Sequence, residues 1–72
     1  MKNDIDRAIA DLTQSIRIDP NSDFTYYFRG NMYSEKGDYN RAIADFEAAL
    51  RINPNNADAR QNLENARQAR GR

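Results

Sequence analysis

The side chains that could carry out chemistry in this chain are carboxylates and hydroxyls, because it contains no histidine and no cysteine. Without histidine it lacks the usual general base and the most common metal ligand. Without cysteine it lacks disulfides, zinc thiolates and thiol nucleophiles. The serines have no base to activate them. The carboxylates that could pair as acid and base are scattered over predicted helix surfaces: Asp4, Asp6, Asp11, Asp45, Glu47 and Glu64. We therefore expect that the chain has no catalytic residue, binds no cofactor and is not an enzyme.

One segment has the alternating oxygen ligands of a calcium-binding loop. Asp19, Asn21 and Asp23 lie at every second position. The EF-hand loop also needs a glycine at its sixth position and a glutamate at its twelfth. Phe24 and Gly30 occupy the two places where those residues would be required. A turn between two helices explains the oxygens better, and the sequence predicts no metal site.

Charge and hydropathy limit the remaining classes of function. The 72 residues include 11 basic and 11 acidic side chains, whereas nucleic-acid binders normally carry a positive excess. The arginines of residues 67–72 could form a basic patch, but cations at a fraying helix end are the favoured interpretation. No apolar run could span a membrane and no secretion signal is visible. We expect a cytoplasmic protein with no nucleic-acid or membrane partner.

Composition and periodicity predict an all-α chain of four helices. Alanine is the most common residue and valine is absent, a balance that favours helix over strand. The predicted helices cover residues 4–18, 23–36, 39–52 and 56–69. Their predicted N-caps are Asp4, then Asn21 or Ser22, then Asp38, and then Asn55 or Asn56; Gly37 is the predicted terminal glycine of the second helix. Gly30, Ala8 and Ala42 are small where packed helices must approach closely.

The chain contains an internal repeat. Residues 4–22 and 38–56 are identical at ten of nineteen positions with an offset of 34 residues. This repeat resembles the tetratricopeptide repeat, whose pattern of aromatic, Leu-Gly, Tyr, Ala, Phe and Pro appears at the family spacing. The matching residues are Tyr26, Arg29, Gly30, Tyr33, Ala42, Phe46 and Pro54. Arg29 departs from the pattern, since it stands where the family usually has leucine.

The resemblance implies antiparallel helical hairpins of a right-handed solenoid within a single domain of residues 1–72. Residues 4–22 are then the second helix of a preceding repeat, and residues 23–56 form one complete repeat. Residues 57–70 become a C-terminal capping helix. That helix is polar on nearly every face except for Ala59, Leu63 and Ala66, as expected of a helix that covers the end of an array.

The resemblance also implies a function, because first helices of such repeats line a groove that holds a partner peptide. The matching groove residues here are Phe24, Tyr27, Phe28, Asn31, Ser34, Glu35, Gln61, Asn62 and Asn65, with Asp58 beside them. Exposed aromatics are good anchors and asparagines can hold a peptide backbone. The chain is therefore expected to be a protein–protein interaction module, although some of these aromatics could simply pack against neighbouring helices.

Two further expectations concern Arg29 and the first helix. Arg29 lies on the packed face and is predicted to pair with Asp11 or Asp45, in preference to a ligand carboxylate. The first helix lacks the partner helix of its own repeat, so its stripe of Ile5, Ile9, Leu12 and Ile16 should lie partly open. The alternative function is therefore self-assembly. A two-fold dimer is favoured over a head-to-tail chain of copies.

Overall fold

The computed structural model describes residues 2–72, which form four α-helices and, within that range, no strand. The helices are α1 (Lys2–Ile18), α2 (Asp23–Lys36), α3 (Tyr39–Ile52) and α4 (Ala57–Arg70). Each helix packs against the next one along the chain, and α2 also touches α4. The predicted all-α hairpin architecture is confirmed.

The ends of α3 and α4 follow the predicted capping chemistry. The Asp38 carboxylate accepts a hydrogen bond from the backbone N–H of Arg41, at 3.3 Å. The Asn56 side chain accepts one from the N–H of Ala59, at 3.0 Å. These bonds satisfy N–H groups that have no partner within the helix. Gly37 ends α2 at φ 82°, a left-handed conformation that glycine adopts without a Cβ penalty.

The start of α1 differs from the sequence prediction, whereas α2 begins where predicted but without the expected capping hydrogen bond. Asp4 is not the N-cap of α1, because the helix already starts at Lys2 and Asp4 lies in its first turn. A carboxylate there still interacts favourably with the helix dipole. Ser22 occupies the N-cap position of α2, but its hydroxyl makes no capping hydrogen bond to the backbone. That hydroxyl instead accepts a hydrogen bond from Thr25 at 3.1 Å.

The core is centred on α3. Among the side chains of residues 4–72, the buried apolar ones come from α3 and α4: Ala42, Ile43, Phe46, Ala49, Ala59, Leu63 and Ala66. Tyr27 and Tyr33 of α2 pack against the edge of this cluster. Of the α1 side chains that the structure describes, residues 4–18, none is fully buried. The predicted apolar stripe of α4 is therefore the part of that helix that enters the core.

A hydrogen-bonded clamp joins the turn between α3 and α4 to the start of α2. The Asp23 carboxylate accepts hydrogen bonds from the side-chain amides of Asn53, at 3.2 Å, and Asn56, at 3.0 Å. Asn56 is buried and caps α4 with its carbonyl oxygen. One side chain thus fixes both the start of α4 and its position relative to α2.

Candidate partner-binding surface

The predicted groove residues of α2 and α4 meet where these two helices touch. The side-chain amide of Asn62 donates a hydrogen bond to the carbonyl oxygen of Asn31, at 2.8 Å. The same amide nitrogen lies 3.4 Å from the Tyr27 hydroxyl, which accepts from it. All three side chains are half-buried. We name Tyr27, Asn31 and Asn62, with the two phenylalanines described below, the α2–α4 surface.

Tyr27 serves the core as well as this surface, which the sequence pattern did not indicate. Its ring centroid lies 6.2 Å from that of Phe46, the largest fully buried side chain within residues 4–72. The helical phase of Tyr27 predicts an off-core position, and that prediction is wrong for the ring. Its hydroxyl accepts from Asn62 on the α2–α4 surface, and its ring also borders that of Phe28. A change that removes the ring will therefore affect stability as well as any binding.

Two phenylalanines extend the surface along α2. Phe24 is 59% exposed and Phe28 is 49% exposed. They stand four residues apart, one helical turn, and therefore share a face. The Phe28 ring lies 5.5 Å from the half-buried Tyr27 ring in a tilted arrangement, so the exposed aromatic packs beside a half-buried one. Large apolar side chains left open to water commonly mark an interaction site.

The remaining predicted groove residues lie around this centre. Gln61 donates to Asn65 at 3.3 Å on the exposed side of α4, where Asp58 is also exposed. Asn65 is the repeat counterpart of Asn31, 34 residues later. Ser34 is half-buried. Glu35 lies apart from the others, in a shallow pocket shared with Ile5 and Lys36 at the junction of α1 and α2.

Arg29 is held by an internal ion pair. Its guanidinium donates from Nε and Nη2 to the two carboxylate oxygens of Asp45, at 2.9 and 2.8 Å. Of the two predicted partners, Asp45 is therefore the correct one. The hydrogen bond to Asp45 raises the pKa of Arg29 above its ordinary value, although burial opposes the rise. Such two-pronged geometry is the strongest form of this interaction.

Two further contacts of Arg29 were not predicted. Its Nη1 donates to the Thr13 hydroxyl of α1 at 3.2 Å, and that hydroxyl donates to the carbonyl of Ile9 at 2.7 Å. The guanidinium also lies over the rings of Tyr26 and Tyr33, 5.7 and 5.9 Å from their centroids. Both tyrosines are one turn from Arg29, so their spacing could have indicated the stacking. Arg29 thereby links α1, α2 and α3.

The four residues predicted for self-association, Ile5, Ile9, Leu12 and Ile16, are all half-buried. Helix α2 covers one flank of α1. Their intermediate exposure agrees with the prediction that this stripe is partly accessible to water. Self-association through it stays a prediction.

No helix within residues 2–72 is both long enough and apolar enough to cross a membrane.

Comparison with known families finds two models that match this chain. A tetratricopeptide-repeat model matches residues 24–56, and a second tetratricopeptide-repeat model matches residues 2–22. A search of the curated proteins finds no matching relative. The two matched segments overlap residues 23–56 and 4–22, which the resemblance implies to be a complete repeat and the second helix of a preceding one. Together they cover most of the chain, which therefore belongs to the tetratricopeptide-repeat family.

Proposed function

We propose that this protein binds an extended peptide segment of a partner protein on the α2–α4 surface. Tetratricopeptide repeats are generally protein–protein interaction modules and are typically non-catalytic. The observation that carries the more specific proposal is the hydrogen bond between Asn62 of α4 and Asn31 of α2. It places two amide side chains side by side between the helices, next to exposed aromatic rings.

The asparagine pair has the chemistry needed to hold a peptide backbone. An asparagine side chain offers one carbonyl acceptor and two N–H donors. The bond between the pair uses the Asn31 carbonyl and one N–H of Asn62. The Asn31 amide group can therefore donate to a backbone carbonyl, and the Asn62 carbonyl can accept from a backbone N–H. Because they carry no charge, these contacts favour a peptide backbone over an anion or a cation.

The aromatic side chains supply the apolar part of the contact. Phe24 and Phe28 expose ring surface on α2, and the neighbouring Tyr27 ring, 5.5 Å away, supports the Phe28 ring. An aromatic anchor that is already supported loses little side-chain freedom on binding. We therefore expect the bound segment to place an apolar side chain against Phe28 while its backbone contacts the asparagines.

A random peptide library displayed on phage, selected against the purified protein, provides the probe. The affinity of an enriched peptide is then measured by fluorescence anisotropy for single variants. We expect Asn31→Ala, Asn62→Ala and Phe28→Ala each to weaken binding about tenfold or more. Tyr27→Phe keeps the ring against Phe46 and removes only the hydroxyl, so it separates binding from stability better than Tyr27→Ala.

The matched control is Gln14→Ala. Gln14 is exposed on α1, outside the α2–α4 surface, and its replacement should leave both binding and stability unchanged. Circular dichroism checks that each variant is folded. Folded Asn31 and Asn62 variants that bind the peptide as tightly as the wild type would refute the proposal.

A further inference from the structure

The internal repeat shows which face of α1 is uncovered. Four buried α3 residues share one helical face: Ala42, Asp45, Phe46 and Ala49. Asp45 and Phe46 of this face meet Arg29 and Gly30 of α2. The counterparts of the four α3 residues, 34 residues earlier, are Ala8, Asp11, Leu12 and Ser15, which we name the open face of α1. Asp11 and Ser15 are exposed, whereas Ala8 and Leu12 are half-buried. The open face of α1 therefore lacks the covering that α2 gives to α3.

We propose that the open face of α1 binds a helix from a partner protein that presents an arginine followed by a glycine. The template is the packing of α2 on α3 within this chain. There Arg29 pairs with Asp45 through two hydrogen bonds. The adjacent Gly30 leaves room for the Phe46 ring, since a Cβ on Gly30 would lie 2.7 Å from Cε1 of that ring.

The arginine is required because of Asp11. Its counterpart Asp45 is only 5% exposed, and a carboxylate can be buried to that degree when a cation pairs with it. A helix that covers α1 as α2 covers α3 will remove Asp11 from water in the same way. A guanidinium matches the two carboxylate oxygens better than an ammonium does. The glycine follows from the same geometry. Leu12 of α1 is the repeat counterpart of Phe46, and the residue of α2 that faces Phe46 is a glycine.

A second copy of this chain is a poor occupant for the open face of α1. Helix α4 is the repeat counterpart of α2, but it carries Leu63 and Glu64 where α2 has Arg29 and Gly30. Leu63 is already buried in its own core. Glu64 would bring a second carboxylate towards Asp11. A two-fold pairing of α1 with α1 would likewise bring two Asp11 side chains together without a cation, and like charges at short distance repel.

The test uses a synthetic peptide with the sequence of residues 20–38, which contains Arg29 and Gly30, and a second peptide carrying Arg29→Glu. Each is titrated by fluorescence anisotropy against the wild-type protein and against Asp11→Lys. We expect the arginine peptide to bind the wild type and to lose about tenfold or more of its affinity for Asp11→Lys. The glutamate peptide should show the reverse preference. Asp11 is exposed, so circular dichroism should find Asp11→Lys folded.

Two measurements establish where the peptide binds. In nuclear magnetic resonance spectra, the amide signals of Ala8, Leu12 and Ser15 should shift, whereas those of Ala42 and Ala49 should not. Shifts confined to α3 would mean that the peptide displaces the chain's own α2, and this would overturn the proposal. Absence of binding to the wild type, or equal affinity for Asp11→Lys, would overturn it too.

Sedimentation equilibrium of the protein alone tests the competing occupant. A wild-type dimer that Leu12→Asp converts to a folded monomer would assign the open face of α1 to a second copy. That result would overturn the proposal of a partner helix. A wild-type monomer at tens of micromolar, together with the charge-dependent peptide binding, supports it.

Discussion

Gly30 of α2 lies directly against the ring of Phe46 of α3. A Cβ added at Gly30 would stand 2.7 and 2.9 Å from two carbons of that ring, closer than real side chains approach each other. Phe46 is fully buried and has no room to retreat. The separation of α2 and α3 is therefore set by the absence of a side chain at one position.

Gly30→Ala should lower the free energy of unfolding by about 1–3 kcal/mol, because the added methyl group overpacks the core. Urea titration followed by circular dichroism measures the change. Gly71→Ala is the matched control, since a Cβ there would meet only ordinary contacts at 3.5 Å or more. Phe46→Leu in the Gly30→Ala background should cost less than Phe46→Leu alone. Independent effects of the two changes would contradict this account.

Asp45→Asn should destabilise the protein by about 3 kcal/mol, because it leaves the partly buried Arg29 without its anionic partner. Asp11→Asn provides the comparison, since it makes the same chemical change at the same repeat position on an exposed side chain. We expect its effect to stay below about 0.5 kcal/mol. Equal losses in the two variants, measured by urea titration, would show that the ion pair contributes nothing specific.

Replacing both Arg29 and Asp45 by apolar residues should lower the free energy of unfolding far less than replacing only one of them. In Arg29→Leu/Asp45→Leu no charge is left unpaired, and leucine is the usual residue of the family at the position of Arg29. Exchanges of buried ion pairs for apolar residues are often neutral or stabilising. We expect the free energy of unfolding of the double variant, measured by urea titration, to lie within about 1 kcal/mol of the wild-type value. A loss equal to the sum of the two single losses would contradict this.

Asn56→Ala should cost about 1–2 kcal/mol, because it removes both the cap of α4 and a hydrogen bond to Asp23. Ser22→Ala changes the equivalent position before α2, where the hydroxyl makes no capping bond to the backbone, and should cost clearly less. Thermal unfolding followed by circular dichroism compares the two. If Ser22→Ala lowered the stability as much as Asn56→Ala, the hydrogen bonds of Asn56 to Asp23 and Ala59 would not explain the loss.

Composition, helical periodicity and capping residues predict the four helices, their order and the apolar face of α4. The predicted ends of α2 and α3 agree with the structure, because Gly37 and Asp38 act locally through their own backbone and side chain. The predicted start of α1 is wrong, because the helix begins at Lys2 and Asp4, although it has the chemistry of an N-cap, lies inside the first turn. Local signals therefore located the boundary between α2 and α3 but not the first residue of α1.

The tertiary contacts of polar side chains were harder to predict. The sequence left Asp11 and Asp45 as equivalent partners for Arg29, because the repeat places the same residue at both positions. The choice depends on which face of each helix meets α2: Asp45 is buried against it, whereas Asp11 is exposed. The clamp of Asp23 on Asn53 and Asn56 joins residues 30 and 33 positions apart. No periodicity indicates it, since it depends on a turn reaching a distant helix end.

The packing of each helix mainly on its sequence neighbours has a consequence for how the molecule opens. None of the described side chains of α1, residues 4–18, is fully buried, and within the described part of the chain α1 packs against α2 and no other helix. Detaching α1 leaves the cluster around Phe46 intact. In native-state hydrogen exchange, the amides of α1 should therefore exchange through a partial opening that costs less free energy than global unfolding, whereas those of α3 should exchange only when the whole chain unfolds.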